Sequence, residues 1–276
     1  MNKKIITLLL AATLTLTFAG CTPKENSETP NNQGNQTQES TQNGETASGL
    51  DADAEHYRLM IREPEMPYTL GDYIQTKISR PSFVALDRAN APCKEKMNKI
   101  LEQAYNRHTS AQDDLITMLD GLLADPEVDI ETVSFPWVLE TSYELAKNDG
   151  KAISLLENVY YFAGGAHPSQ STFTYNFDPA TGDQIDQVFY DGGDAERDAA
   201  DEKLYKMLTE KYSEEEISYD YISSSFVDTL ADCWYFTDDG IKVVVSAGDI
   251  APYAAGTFEL EIAKEDLAAS AQKYFK

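Results

Sequence analysis

The chain reads as an α+β fold, with antiparallel sheets and helices packed on them. Three observations predict it. Alternating apolar and polar stretches are joined by turns rich in Asp and Gly. Segments with apolar residues three and four apart lie between those stretches. The strand-like stretches form two meandering groups with helices between them.

Taken in order, residues 73–79 alternate and predict a strand, which Arg80-Pro81 ends or kinks. Residues 91–123 predict helix: Met97, Ile100, Leu101, Ala104 and Tyr105 recur at helical spacing, as do Leu115, Met118, Leu119 and Leu122. Thr109-Ser110 is placed to cap a second helical segment with Asp113 in its first turn, and Pro126 stops the run. Trp137, Leu139, Thr141, Tyr143 and Leu145 then share one face of a strand. Asn148-Asp149-Gly150-Lys151 predicts a type I′ hairpin turn, and residues 152–162 the returning strand. A third strand, 171–177, follows the Gly164-Gly165-Ala166-His167-Pro168 break. Residues 178–182 turn again, and 194–212 read as a helix with Leu204, Met207 and Leu208 inward. A short helix is expected at 224–230. A hairpin of 234–237 and 241–246 follows around Asp238-Asp239-Gly240, then a strand at 257–262 and a closing helix at 267–275.

The first twenty-one residues carry an address. Lys3-Lys4 precede an apolar run from Ile5 to Phe18 broken only by Thr, and Ala19-Gly20 stand directly before Cys21. Such a basic, apolar, then small-residue order is a secretory leader, too short for a spanning helix. The small pair followed by Cys resembles the lipobox of bacterial lipoproteins, with Phe18 where that family usually has Leu. The resemblance implies cleavage before Cys21, acyl chains on its thiol, and residence on the extracytoplasmic face of the cell membrane. Two acyl chains suffice for stable anchoring, at roughly 0.8 kcal/mol per buried CH₂. The other reading is a plain secretory signal with an incidental Cys nearby. The domain organisation expected is a lipoprotein signal peptide over 1–20 and a lipid-anchored, disordered linker over 21–56. An N-terminal α+β subdomain over 57–163 and a C-terminal one over 164–276 follow. The linker is rich in Asn, Gln, Thr, Ser and Glu, and cannot bury enough apolar surface to order itself. As a flexible coil it spans about 30–35 Å.

The formal net charge is −25, and loss of Lys3 and Lys4 with the leader takes it to about −27. That argues against nucleic acid, whose phosphates require a basic surface. It suits solubility outside the cell and attraction to cationic partners. With Cys21 lipidated, Cys93 and Cys233 remain; they are candidates for one disulfide or for two thiols. No metal-ligand cluster, G-x-S-x-G elbow, H-E-x-x-H, C-x-x-C or phosphate-cradling loop occurs, so no catalytic residue, metal or cofactor is assigned. His167, in a loop with two glycines, is the best-marked polar group. A hydrogen-bonded structural role and a ligand-binding one both fit it. Tyr161 and Tyr175 belong to an aromatic set on neighbouring strands that either packs across strands or binds a sugar or protein. The ligand-binding candidates are therefore Tyr161, Gly164, Gly165, His167 and Tyr175.

A wider resemblance rests on Tyr161-Phe162-Ala163-Gly164-Gly165-Ala166-His167-Pro168, on Tyr175-Asn176-Phe177-Asp178, and on Ile250-Ala251-Pro252-Tyr253-Ala254-Ala255-Gly256 after Asp239-Gly240-Ile241. Over residues 72–267 the chain resembles a family of extracellular domains. That family includes the outer region of the anti-sigma factor RsiV and the accessory region of the peptidoglycan deacetylase PdaC. The resemblance implies a two-part, non-catalytic α+β module outside the cell and, through RsiV, a receptor for lysozyme, a basic protein. The chain departs from RsiV in lacking a transmembrane helix and a sigma-binding part, and from PdaC in lacking a deacetylase domain. The expectation is a non-enzymatic binding or sensing lipoprotein of the cell envelope, with a protein or peptidoglycan ligand. The alternatives are a lysozyme-binding decoy or sensor, and a cell-wall-modifying enzyme using His167.

Overall fold

The computed structural model describes residues 45–47, 56–213, 216–217, 233–246, 250–251 and 256–275, all within the compact unit Asn43–Lys276. The leader, Cys21, the helix expected at 224–230 and residues 252–255 lie outside the described residues.

Three sheets build the fold. The first is antiparallel: β1 (Glu45–Ala47), β2 (Tyr57–Arg62) and β5 (Arg80–Ala85), in the order β1-β2-β5. The second, central sheet has the order β3-β4-β6-β7-β8, formed by β3 (Tyr68–Leu70), β4 (Ile74–Lys77), β6 (Trp137–Asn148), β7 (Ile153–Phe162) and β8 (Ser169–Phe177). Its β4–β6 pair is parallel and the rest antiparallel. The third holds β9 (Trp234–Phe236), β10 (Gly240–Ser246) and β11 (Thr257–Ala263), antiparallel in the order β11-β10-β9. The α+β class stands, with one parallel pair added. A parallel pair needs a long crossover, and here β5 and the helix α1 (Ala91–Ala124) supply it.

The chain changes sheets at Ile78-Ser79. Ser79 N donates to Thr141 Oγ1 at 2.9 Å and Ser79 Oγ to Thr141 O at 3.0 Å, so the departing backbone is held against β6. Pro81 therefore does not end a strand; it is the second residue of β5, a place near a strand start that proline tolerates. Helix α1 is one helix of 34 residues. Thr109 does not cap a second segment: its hydroxyl bonds back to Asn106 O at 3.0 Å. Asn98 takes Phe83 N at 2.6 Å and gives its amide to Phe83 O at 2.9 Å, so α1 covers the open edge of β5.

The β6–β7 connection corrects another expectation. Among the described residues no non-glycine has positive φ, and a type I′ turn needs two such residues. Gly150, at φ 77°, supplies one, and the loop is four residues long. Asp149 Oδ1 organises it by accepting from Lys151 N at 3.1 Å and Ala152 N at 3.2 Å.

Alternation gives the central sheet two buried faces. On one, Leu145, Ile153, Leu155, Tyr175 and Phe177 pack with Met97, Leu101 and Ala104 of α1 and with Tyr57, Leu59 and Phe83 of the first sheet. Further along that face, Leu115 and Leu119 of α1 meet Ile74, Trp137 and Leu139. On the other face β9 crosses over. Phe236 N donates to Ser154 Oγ at 2.9 Å, Asn176 Nδ2 to Trp234 O at 2.7 Å, and Trp234 N to Thr174 Oγ1 at 3.0 Å. The third sheet, Leu204 and Leu208 of α2 (Asp194–Lys211), and the 3-10 helix Ala269–Tyr274 close a second core there. The closing helix is thus of the 3-10 kind.

The expected division at 163/164 falls between β7 and β8, which pair along their length. The linker expected to run to 56 contains β1, whose Glu45, Thr46 and Ala47 pair with Arg62, Ile61 and Met60. A three-residue edge strand recruited by a neighbour leaves no periodicity to read.

The turn after β8 locks the two sides together. Gly182 has φ +71°, and a Cβ there would stand 2.4 Å from Cys93 O at the start of α1. Lys96 pairs with Asp183 at 2.7 Å, and Lys273 with Asp178 at 3.1 Å. Gly182→Ala is expected to cost about 2–4 kcal/mol through backbone strain plus the clash. At Gly121, an exposed position inside α1 where φ is not positive and nothing lies within 4 Å, the same change is expected to be neutral or to stabilise by up to about 1 kcal/mol. Urea unfolding midpoints of the two variants check the contrast.

Candidate functional site

The loop between β7 and β8 is built on its glycines. Gly164 and Gly165 have φ of 79° and 98°, values that L side chains rarely adopt. A Cβ on Gly164 would reach to 3.1 Å from Trp137 Nε1. Trp137 begins β6 beside Ile74 of β4. Trp137 is 4% exposed, and its Nε1 is buried with no hydrogen-bond partner among the described residues. Leaving such a donor unmet costs about 1–3 kcal/mol. Phe135 lies 5.4 Å from the indole and Tyr73 lies 5.0 Å from Phe135, centroid to centroid. Tyr161 packs into the same cluster. Burial and then the charge of Asp114 raise its hydroxyl pKa. His167 is exposed and makes no hydrogen bond or ion pair among the described residues.

The structure therefore gathers Tyr161, Gly164, Gly165 and His167 at one end of the central sheet. Tyr175 is not with them. It sits six positions along β8 from Ser169, the residue opposite Tyr161, about 20 Å away at strand rise. It is 6% exposed and turned into the core.

There Tyr175 serves a second polar centre. Glu157, on β7, is fully buried. Its Oε1 accepts from Tyr143 Oη and from His108 Nε2 at 2.8 Å, and its Oε2 from Tyr175 Oη at 2.7 Å. Arg107 donates to Tyr175 Oη at 2.8 Å and stands 3.9 Å from Glu157 Oε2. Burial pushes the Glu157 carboxyl up. The hydrogen bond and charge of His108, with the two phenols, outweigh that and hold it below the ordinary carboxylate value. Both phenols are raised, first by burial and then by the Glu157 charge. The centre joins α1 to three strands; its carboxylate is fully buried, and Arg107 is the member that reaches solvent.

Glu157, His108, Arg107 and Tyr143 form a site that no sequence motif marks. The signal is one of phase. Glu157 falls in phase with Ile153, Leu155, Val159 and Tyr161, a charge on an apolar face. His108 continues the Leu101–Ala104 stripe of α1. Cys93 and Cys233 remain thiols and are not bonded to each other. Cys93 Sγ donates to Ala180 O at 3.4 Å, and Cys233 Sγ to Thr172 O at 3.3 Å. Among the described residues, no three His, Cys, Asp or Glu side chains are placed to hold a metal ion, and no helix is long and apolar enough to cross a membrane.

Residues 70–170 match the family model described as deacetylase PdaC, and residues 186–265 match the one described as protein of unknown function DUF3298. No curated protein matches the chain. A crystal structure of a DUF3298 family member from Bacteroides fragilis aligns over 78% of this chain and 96% of its own. It shares 17% identity, with a TM-score of 0.55, a likeness of fold alone. A DUF3298 protein from Pseudomonas aeruginosa aligns over 78% and 95%, at 18% identity and a TM-score of 0.43. The resemblance to a two-part module of the PdaC and RsiV kind holds in both parts of the chain.

Glu157→Gln is expected to destabilise the fold by about 2–4 kcal/mol, because it leaves His108 and two buried phenols without their ionised acceptor. The sign with pH follows from the depressed carboxyl. Its stabilisation is present above the unfolded carboxylate value, about 4.3, and is lost as pH falls through the lower folded value. Denaturant unfolding from pH 3 to 7 is expected to show an acid slope in the wild type that Glu157→Gln flattens.

Proposed function

We propose that this chain is a non-enzymatic binding module of the cell envelope, held on the extracytoplasmic face by lipid on Cys21. Its recognition surface is the 164–168 loop with the aromatic cluster beneath it. The observation that carries the reading is the contrast between the two polar centres. Glu157, which has the donors and the depressed carboxyl of a chemical site, is sealed from solvent. The loop is exposed over an unmatched indole N–H, with no base–carboxylate pair around His167 among the described residues. An exposed loop over aromatic side chains suits the flat apolar face of a sugar or an anchor residue of a protein.

The preferred ligand is cationic or uncharged, because the chain as a whole is acidic. A basic wall-cleaving protein such as lysozyme answers the charge, and peptidoglycan answers the aromatic loop. Calorimetric titration with lysozyme at low and moderate salt, beside sedimentation on purified peptidoglycan, distinguishes them. Binding to one that falls at least fivefold in Gly164→Val and His167→Ala supports the surface. Binding to neither overturns it, and hydrolysis or deacetylation lost in His167→Ala would make the protein an enzyme. Mass spectrometry of the native protein is expected to find residue 21 acylated at the new N-terminus.

A further inference from the structure

A chain with 47 acidic and 22 basic residues nevertheless builds a cationic groove. It lies between the first turns of α1 and the strands β2 and β5, has a volume of about 390 Å³, and includes Met60 and Ser82 in its lining. Arg62, Arg80, Lys94 and Lys99 line it against Glu95 and Glu102, four cations to two carboxylates, an excess of two positive charges. That size lies within the range of small-molecule sites, about 300–1,000 Å³.

The arrangement is not a chance scatter of surface charge. Arg62 and Arg80 are direct cross-strand partners and line the groove together. Partners of this kind have Cβ atoms about 4.5–5.5 Å apart, and like charges there are destabilising. Arg80 is partly relieved by Glu102 at 3.0 Å and by the Tyr105 ring at 5.3 Å from its guanidinium carbon. Arg62 also has an interaction of its own, whereas the ammonium groups of Lys94 and Lys99 have no ion-pair partner among the described residues. Two guanidiniums and two ammoniums around one open volume supply more donors than a single carboxylate accepts. A tetrahedral oxyanion accepts from several directions, and guanidinium binds it through two parallel bonds.

We propose that this groove is a binding site for a phosphate-class oxyanion, either a soluble phosphate or the phosphodiester of a lipid headgroup. None of its lining residues belongs to the 164–168 loop, so the proposal stands or falls apart from the ligand of that surface.

The test is calorimetry on the full chain in neutral detergent at 0.15 M salt, with three separate probes: inorganic phosphate, tripolyphosphate, and glycerophosphoglycerol as the soluble form of a headgroup diester. Saturable binding of at least one is expected. Preference for tripolyphosphate assigns the site to soluble polyanions, and preference for the diester assigns it to headgroups. Arg62→Gln/Arg80→Gln is expected to weaken the preferred probe at least tenfold. Lys94→Gln/Lys99→Gln, which breaks no ion pair, is expected to weaken it several-fold. Lys151→Gln/Lys206→Gln carries an equal charge change elsewhere and is expected to stay within twofold. Absence of saturable heat with all three probes overturns the proposal, as does equal weakening in the Lys151/Lys206 control.

Discussion

An ionised carboxylate cannot sit in a dry interior unless donors meet it from every side. Glu157 lies in the middle of β7, itself flanked by β6 and β8, and its donors come from both neighbours and from α1. Tyr143 is fixed by β6, Tyr175 by β8, and His108 by the middle of α1. A one-residue slip of β7 would turn Glu157 to the opposite face and take its apolar neighbours with it. The carboxylate therefore selects the register of three strands and the rotation of the helix. Apolar contacts alone, being non-directional, fix neither so sharply.

The same strand carries the opposite requirement on its other face. Ser154 and Asn176 are buried there, with Ser154 Oγ donating to Asn176 Oδ1 at 2.6 Å. Their remaining capacity is taken by the backbone of β9. This joint explains how a short strand can seat a whole second sheet on the first: its backbone groups find side-chain partners where a face-to-face stack would leave them unmet. The two family-model matches meet between residues 170 and 186, yet the packed structure does not divide there. The joint lies between β9 and the strands β7 and β8: Ser154 precedes that interval, Thr174 and Asn176 lie within it, and Trp234 and Phe236 follow it.

Much of this was legible in the residues. The α1 stripe, the β6 alternation, β10 and α2 each repeat one period long enough to declare it, and the Asp238-Asp239-Gly240 turn marks the short β9 beside β10. β2, β3 and β5 were not legible, because they are three to six residues long and have no uninterrupted alternation. Pro81 also argued against a strand that it in fact helps to begin. The Gly164–Gly165 loop announced itself, because positive φ is a property of single residues. Glu157 did not, since among 47 carboxylates one is singled out only by the phase of its neighbours, and its partners lie 49 and 14 positions before it and 18 after. Tyr175 was named as a candidate for its chemistry and proved to act inward. Residue type identifies a capable side chain; strand phase decides which way it faces.

Net charge is similarly a coarse guide to partners. A formal charge of −25 describes the potential felt from far away, and at physiological ionic strength that potential decays over about 8 Å. Inside a groove the relevant charges are those within one such length. There the cross-strand pair Arg62 and Arg80, with Lys94 and Lys99, outnumbers Glu95 and Glu102. The distant field still acts on approach, slowing an anion and hastening a cation. The two proposed interactions, attraction of a basic partner over most of the surface and capture of an oxyanion at one place, are therefore compatible. The two interactions differ in range, and salt weakens the first more than the second.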